Sequence, residues 1–267
     1  MVAALGAALI LGRAAPPGPV AWARLETQDV HSLAFVGEDP NHLLFGHHDG
    51  VLESIDGGRT WQALAVQEDA MSISVATDGS LVIAGHEVFM ASPDVGRTWS
   101  PIESDLPSLD IHGFTRDPAD PGRMWAYLAI GGLWESSDAG AHWANVREDN
   151  VAFPVAIRDG SATSLLGIDA SGFVVSGDGG RTWSGATTPP TFPMTSLVAT
   201  ADGSVVYAGS PDGLFRSTDG GSTWAATSYT GSVFAAATMS TGDLVAVVSQ
   251  DAAFFRSADG GQTWPAR

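Results

Sequence analysis

The chain of 267 residues contains no cysteine. A disulfide framework and a thiolate metal site are therefore both excluded. Lysine is absent as well: all 12 basic residues are arginine, 30 residues are acidic, and the formal net charge is −18. Nucleic acids and anionic membrane surfaces attract proteins mainly through basic side chains. This charge argues against both as partners, and we expect no nucleic-acid binding.

Charged residues are also few, at 16% of the chain, whereas apolar residues make up 44%. Such a composition is typical of a folded protein with a sizeable core rather than of a disordered one. The length allows one large all-β domain or two ordinary domains.

Long hydrophobic runs are missing too. The apolar run at residues 2–11 is shorter than the roughly 20 residues that a membrane-spanning helix needs. It is typical of the apolar part of a secretory signal, although the usual basic residues before it are lacking, so an unstructured Ala/Gly/Pro tail is the alternative. We expect residues 1–21 to be a signal-like or membrane-proximal segment, and the protein to be extracytoplasmic, either secreted or tethered to a membrane.

One eight-residue pattern occurs six times. It reads SIDGGRTW at residues 54–61 and returns as SPDVGRTW, SSDAGAHW, SGDGGRTW, STDGGSTW and SADGGQTW. We call each copy an octet. The octet aspartates are Asp56, Asp94, Asp138, Asp178, Asp219 and Asp259, and the octet tryptophans are Trp61, Trp99, Trp143, Trp183, Trp224 and Trp264. The aspartates are 38, 44, 40, 41 and 40 residues apart, and a fixed period near 40 indicates a repeat architecture.

Each period contains four short apolar or alternating runs separated by Asp, Gly, Ser and Pro, which predicts four antiparallel strands joined by tight turns. Six such sheets arranged radially form a six-bladed β-propeller, an all-β fold that exposes few strand edges. We therefore predict a single propeller over residues 22–267. Residues 22–25 resemble a fourth strand and are expected to complete the last blade and close the ring.

The octet falls between the third and fourth strands of each blade. Its Asp, Ser and Thr side chains can bond to backbone groups of the turn, its glycines allow positive φ, and its Trp provides an apolar face. We interpret it as a self-contained hairpin clamp. The alternative, that the six carboxylates act on a ligand, would make the repeat itself functional.

The pattern SxDxGxTW resembles the Asp-box, or BNR repeat, of sialidases, sortilin-like receptors, a photosystem assembly factor and secreted bacterial propellers similar to glycosyl hydrolases. Five copies match, and the third has His142 in place of Thr. The resemblance covers nearly the whole predicted propeller and implies a bacterial protein of the sialidase superfamily. In these families the box stabilises blades away from the active face.

A sialidase needs three arginines that converge on the substrate carboxylate, a Tyr nucleophile paired with Glu, and an Asp acid/base. The strand order places most arginines on the octet side of the ring, and only Arg147 is expected on the opposite side. No complete set of catalytic residues can be assembled. The neighbouring carboxylates Glu148 and Asp149 keep a glycoside hydrolase as the alternative function, although a charged surface loop is the simpler explanation for them.

The strand order predicts that five of the seven histidines gather on the side opposite the octets. His31 and His112 stand at the start of first strands, near the expected channel, where Met71 and Met194 occupy corresponding places. His47, His48 and His86 lie in turns between second and third strands. Asp29, Asp49, Glu87 and Asp110 are expected to accompany them.

Imidazole and carboxylate groups suit transition metals, and a nearby thioether favours copper. The hypothesis is a metal or small-ligand site formed by His31, His47, His48, His86 and His112, with copper or zinc as the ion; no other cofactor is indicated. A polar lining of a wet channel opening would use the same residues, and no compact ligand motif decides between the two.

The sequence thus favours a non-enzymatic binding or scaffold module, expected to be a monomer. Its partner is expected to be a protein, a small molecule or a glycan.

Overall fold

A computed structural model describes residues 21–27, 29–185 and 193–266. The segment predicted to be signal-like lies outside these residues except for its last position. The described residues form 24 strands in six four-stranded antiparallel sheets. They contain no helix that is long and apolar enough to cross a membrane.

The strands are numbered in chain order, and each sheet is one blade. Blade one comprises β2 (Ser32–Phe35), β3 (Leu43–His47), β4 (Gly50–Ser54) and β5 (Gln62–Ala63). Blade two comprises β6 (Ser72–Val75), β7 (Leu81–Gly85), β8 (Val88–Ser92) and β9 (Ser100–Pro101). Blade three comprises β10 (Ile111–Arg116), β11 (Met124–Leu128), β12 (Gly132–Ser136) and β13 (Ala144–Arg147). Blade four comprises β14 (Ala152–Asp159), β15 (Ala162–Asp169), β16 (Gly172–Ser176) and β17 (Ser184–Gly185). Blade five comprises β18 (Ser196–Ala199), β19 (Val206–Ser210), β20 (Gly213–Ser217) and β21 (Ala225–Ala226). Blade six comprises β22 (Ala235–Thr238), β23 (Val245–Val248), β24 (Ala253–Ser257) and the N-terminal strand β1 (Ala23–Arg24).

The blades form a ring, which confirms the six-bladed β-propeller. The first strand of each blade is innermost, and β2 of blade one contacts β22 of blade six. The core is divided into six apolar clusters, each shared by two adjacent blades. Burial between blades, rather than within one central core, therefore holds the ring together.

The ring closes through its N-terminal strand, as predicted from residues 22–25. β1 pairs with β24, Trp22 donates its backbone N–H to Phe254 O at 2.8 Å, and Leu25 does the same to Ala252 O at 2.8 Å. Leu25 is buried in the cluster shared by blades six and one. The first and last blades are thus joined by main-chain hydrogen bonds as well as by side-chain packing.

Each octet is organised by its serine and aspartate. In the first octet Ser54 Oγ accepts from Gly58 N at 2.8 Å and donates to Asp56 Oδ1 at 3.0 Å. Asp56 also accepts from the backbone and hydroxyl of Thr60, at 2.9 and 2.7 Å. The serine bonds recur in all six octets. In the third octet His142 Nδ1 takes the place of the Thr hydroxyl, at 2.7 Å from Asp138.

The octet is less self-contained than predicted, because it also packs on the preceding blade. The Trp61 ring meets the Phe254 ring of blade six edge to face, with centroids 5.4 Å apart. A Cβ added to Gly58 would lie 2.1 Å from that phenylalanine, and the φ of Gly58 is +90°. Glycine is therefore required here both for the turn and for the contact between blades. The same contacts join Trp143 to Phe89 and Trp224 to Phe173.

The octet carboxylates make the free energy of unfolding depend on pH in the acidic range. Side-chain hydrogen bonds from Thr182 and Thr223, followed by their backbone N–H groups, lower the pKa of Asp178 and Asp219 to about 2 from the usual 3.8. Between about pH 4 and pH 2 the unfolded chain then binds more protons than the folded chain. The free energy of unfolding is therefore expected to fall as the pH drops through this range.

This is checked by urea unfolding at a series of pH values for the natural chain and Asp219→Asn. The variant is expected to lose stability less steeply below pH 4, because one linked proton is gone. Equal slopes for the two chains would contradict the account.

Ring closure predicts a second effect. Leu25→Ala is expected to lower the free energy of unfolding by about 2–5 kcal/mol, because it leaves a cavity between blades six and one. Arg24→Ala is the matched control, since the Arg24–Asp251 ion pair is exposed and such pairs contribute about 0–1 kcal/mol. Chemical denaturation of both variants measures the difference, and similar losses would argue against a closing role for Leu25.

Candidate functional site

A channel of about 670 Å³ lies along the ring axis, lined by residues of all six innermost strands. Turns between second and third strands, and the segments between blades, lie at the end opposite the octets. We call this end the mouth. The channel residues at the mouth are His31, Met71, His112, Phe153, Met194 and Phe234. The histidines and methionines predicted to be near the channel are thus among its lining residues.

Two short turns place further histidines at the mouth. β3 and β4 are separated only by His48 and Asp49, and β7 and β8 only by His86 and Glu87. Glu87 has a φ of 58°, which fits such a tight connection. His48 and His86 therefore occupy corresponding positions in blades one and two.

Two aspartates enter from the segments between blades. Asp69 leads into blade two, and its Oδ2 accepts the backbone N–H of His86 at 3.1 Å. A Cβ added to Gly85 would lie 2.4 Å from the Asp69 carbonyl oxygen, so only glycine permits this approach. Asp110 leads into blade three and pairs with His86 in an isolated β-bridge.

The first triad consists of His31, His48 and Asp69. Asp69 Oδ1 lies 3.6 Å from His31 Nε2 and 3.7 Å from His48 Nδ1, and these two nitrogens contact each other. The imidazole rings are stacked, with centroids 4.5 Å apart. Burial lowers the pKa of His31, an effect that outweighs the opposing attraction of Asp69.

The second triad consists of His86, Asp110 and His112. His112 Nε2 lies 3.0 Å from Asp110 Oδ1 and 3.3 Å from His86 Nε2, and the His86 to Asp110 distance is 3.5 Å. All three side chains are more than one-third exposed. In both triads two ring nitrogens and one carboxylate oxygen converge closely enough to hold a metal ion.

Asp69 connects the two triads. Its Oδ1 faces the first, whereas its Oδ2 lies 2.7 Å from His86 Nδ1. An ionised carboxylate can only accept, so His86 Nδ1 carries the proton in this bond. In the neutral ring Nε2 is then left with a lone pair facing His112 and Asp110.

The structure brings together four of the five predicted histidines and leaves out His47. The His47 ring stacks on Phe45, and its Nδ1 accepts the backbone N–H of Asp49 at 3.2 Å. Of the four carboxylates expected beside the histidines, only Asp110 belongs to a triad. The interpretation that gave His47 a ligand position is therefore not supported by this geometry.

Asp69 is absent from the site predicted from the sequence, although the sequence contains a pattern that marks it. Asp69 stands two residues before Met71, just as Asp29 and Asp110 stand two residues before His31 and His112. The spacing Asp-x-His or Asp-x-Met thus marks the entrance to each of the first three blades. The substitution of Met for His in blade two hid this pattern.

Within the part of the chain that the structure describes, the arginines, Tyr229 and the carboxylate pair considered for a glycoside hydrolase are not gathered at the mouth. Of the described arginines, only Arg116 lines the channel, and its guanidinium is bonded to Ser74 and Ser80. Burial raises the pKa of Tyr229, which is 2% exposed. Glu148 and Asp149 are exposed and do not line the channel, and Asp149 pairs with Arg147 at 3.4 Å.

Fold and site together define a six-bladed propeller whose mouth is rich in histidine and aspartate. The family described as photosynthesis system II assembly factor YCF48 matches residues 20–176, and the chain belongs to this family. The description is of an assembly factor, which agrees with the expectation of a binding module rather than an enzyme. The narrower resemblance to sialidases stays a prediction.

Solved structures share the fold at low sequence identity. YCF48 from Cyanidioschyzon merolae is 20% identical with a TM-score of 0.56, over 93% of this chain and 88% of that one. A YCF48 bound to a D1 peptide is 17% identical with a TM-score of 0.56, over 88% and 95% of the two chains. A GH74 xyloglucanase from Xanthomonas campestris is 18% identical with a TM-score of 0.62, over 94% of this chain but 46% of the enzyme.

A curated relative matches over a shorter segment. The dispase autolysis-inducing protein of Streptomyces mobaraensis is 32% identical over 108 residues, which are 40% of this chain. The match spans only 28% of that protein's length.

The hydrogen bond between His86 Nδ1 and Asp69 Oδ2 predicts which tautomer His86 adopts. At a pH where the ring is neutral, Nδ1 is expected to carry the proton, because it donates to Asp69 Oδ2. Long-range proton–nitrogen correlation spectra of labelled protein distinguish the two ring nitrogens. Asp69→Asn should weaken this preference, and a neutral His86 protonated on Nε2 in the natural chain would contradict the arrangement.

Proposed function

We propose that the protein is a non-enzymatic binding module whose mouth receives a segment of a partner protein. One observation carries the proposal. Histidines and aspartates that take no part in the octet hydrogen bonds are concentrated at one end of the channel. Most of them are partly exposed, as a ligand would require. Polar groups that converge beside an apolar channel are typical of binding sites.

The nature of the partner is supported by the comparisons. A YCF48 chain with the same fold is bound to a D1 peptide, which favours a peptide segment as the ligand. The mouth includes the apolar side chains Phe153, Met194 and Phe234 as well as the histidines. Such a surface can bury apolar side chains of a peptide while its polar groups fix the orientation.

Photo-crosslinking tests the proposal. Benzoylphenylalanine is placed at Phe234 in the mouth, where it closely replaces the natural ring. The control places it at Ile55, which is 73% exposed in the first octet on the opposite side. A discrete crosslinked partner is expected in the host cell from position 234 and not from position 55. Equal crosslinking from both positions, or crosslinking from position 55 alone, would contradict a binding mouth.

A glycoside hydrolase remains the alternative, supported by the GH74 fold likeness. We expect no turnover of xyloglucan, sialosides or fluorogenic glycosides by the purified chain. Turnover that is lost in Asp69→Asn or Asp110→Asn, or in Glu148→Gln or Asp149→Asn, would replace the binding module with an enzyme.

The proposal also includes an extracytoplasmic location, which depends on the signal-like character of residues 2–11 alone. Fusion of residues 1–21 to a reporter that is active only after export provides the test. An inactive but expressed fusion would remove this part of the proposal.

A further inference from the structure

One carboxylate oxygen at the mouth is unsatisfied. Asp69 Oδ1 is buried and has no hydrogen-bond partner among the described residues, and the Asp69 side chain is only 10% exposed. A buried carboxylate oxygen without a partner is strongly unfavourable. The groups nearest to it in the first triad are His31 Nε2 and His48 Nδ1, at 3.6 and 3.7 Å. The oxygen is therefore directed at two nitrogens that could share a cation with it.

The separations within the second triad match those of ligands around one metal ion. Metal–nitrogen distances of about 2.0–2.1 Å in tetrahedral sites place neighbouring ligand atoms about 3.4 Å apart. The three ligand atoms of His86, Asp110 and His112 are 3.0–3.5 Å apart. Little movement is thus needed to centre an ion among them.

The hydrogen bond between Asp69 and His86 completes the arrangement. Histidines that bind metals usually donate their other ring N–H to a carboxylate, which fixes the tautomer and strengthens the ligand. His86 has this bond through Nδ1 and directs Nε2 at the second triad. The two triads therefore share one carboxylate.

We propose that the mouth binds two transition-metal ions, one held by His31, His48 and Asp69 and the other by His86, Asp110 and His112, coupled through the two oxygens of Asp69. The inference rests on the proposed role of the mouth as the binding face and deepens it. Two imidazoles and one carboxylate suit zinc and copper(II). Three protein ligands leave the fourth position of each ion open to a donor from the partner.

Zinc counting tests the proposal on the full-length chain without an affinity tag. The protein is stripped with a chelator, equilibrated with buffered free zinc, and analysed for zinc per chain by atomic emission. Two ions per chain are expected. His112→Ala should retain one ion. Asp69→Asn should lose the ion of the first triad and weaken the other at least tenfold, the scale of effect known for groups that orient metal ligands.

His142→Thr is the matched control. It removes a histidine of the octet side and restores the residue found in the other copies, so it should still bind two ions. His48→Ala, at a half-exposed position, replaces Asp69→Asn as the test of the first triad if that variant fails to fold, as judged by thermal melting.

Fewer than two ions in the natural chain, or two ions in both His112→Ala and Asp69→Asn, would overturn the proposal. Crosslinking at position 234, repeated with chelated protein, separates this outcome from failure of the proposed function. Partner crosslinking without metal binding would refute only the metal sites, whereas metal binding without a partner would refute only the peptide-binding role.

Discussion

The hydrogen bonds of the octet aspartate and serine are the constraint on which the rest of the structure depends. Each serine oxygen holds a glycine N–H and the aspartate of its own turn, and the aspartate holds the residue before the tryptophan. The turn then directs the tryptophan toward the fourth strand. In three octets that ring also packs on a phenylalanine of the preceding blade. A local hydrogen-bond pattern thereby contributes to the contacts between blades.

This organisation separates the two ends of the ring. On the octet side the carboxylates are engaged within their own turns, and arginines such as Arg59 and Arg181 donate to the carbonyl oxygens of octet aspartates. At the mouth, Asp69 and the histidines bond mainly to one another, and Asp69 Oδ1 has no hydrogen-bond partner in the part of the chain that the structure describes. The repeat therefore stabilises the fold, and the residues that differ between repeats form the proposed binding surface. This agrees with membership of a family of assembly factors.

The fold was predictable because its signals are local. A period near 40, four runs in each period and turn residues between them determine the blades, and Trp22 to Leu25 match a fourth strand closely enough to reveal the closure. The contact of the octet with the preceding blade was not predictable, because Phe254 and Trp61 are far apart in sequence. Their meeting depends on ring closure.

The site was predictable in part. Strand starts and two-residue turns located His31, His48, His86 and His112. His47 lies apart from its neighbour His48, since successive residues of a strand point to opposite faces and the His47 ring stacks on Phe45. Asp69 was missed because its proximity to His86 depends on Gly85, whose missing side chain lets the segment between blades approach.

The central claim is that the octet side stabilises the fold whereas the mouth binds the ligand. Its most direct test is anomalous X-ray diffraction from crystals of the protein equilibrated with zinc, with data collected on both sides of the zinc absorption edge. The account predicts two anomalous peaks at the mouth. One lies within about 2 Å of His31 Nε2, His48 Nδ1 and Asp69 Oδ1, and the other at the same distance from His86 Nε2, Asp110 Oδ1 and His112 Nε2. Peaks confined to the octet aspartates, or a mouth without a peak, would contradict it.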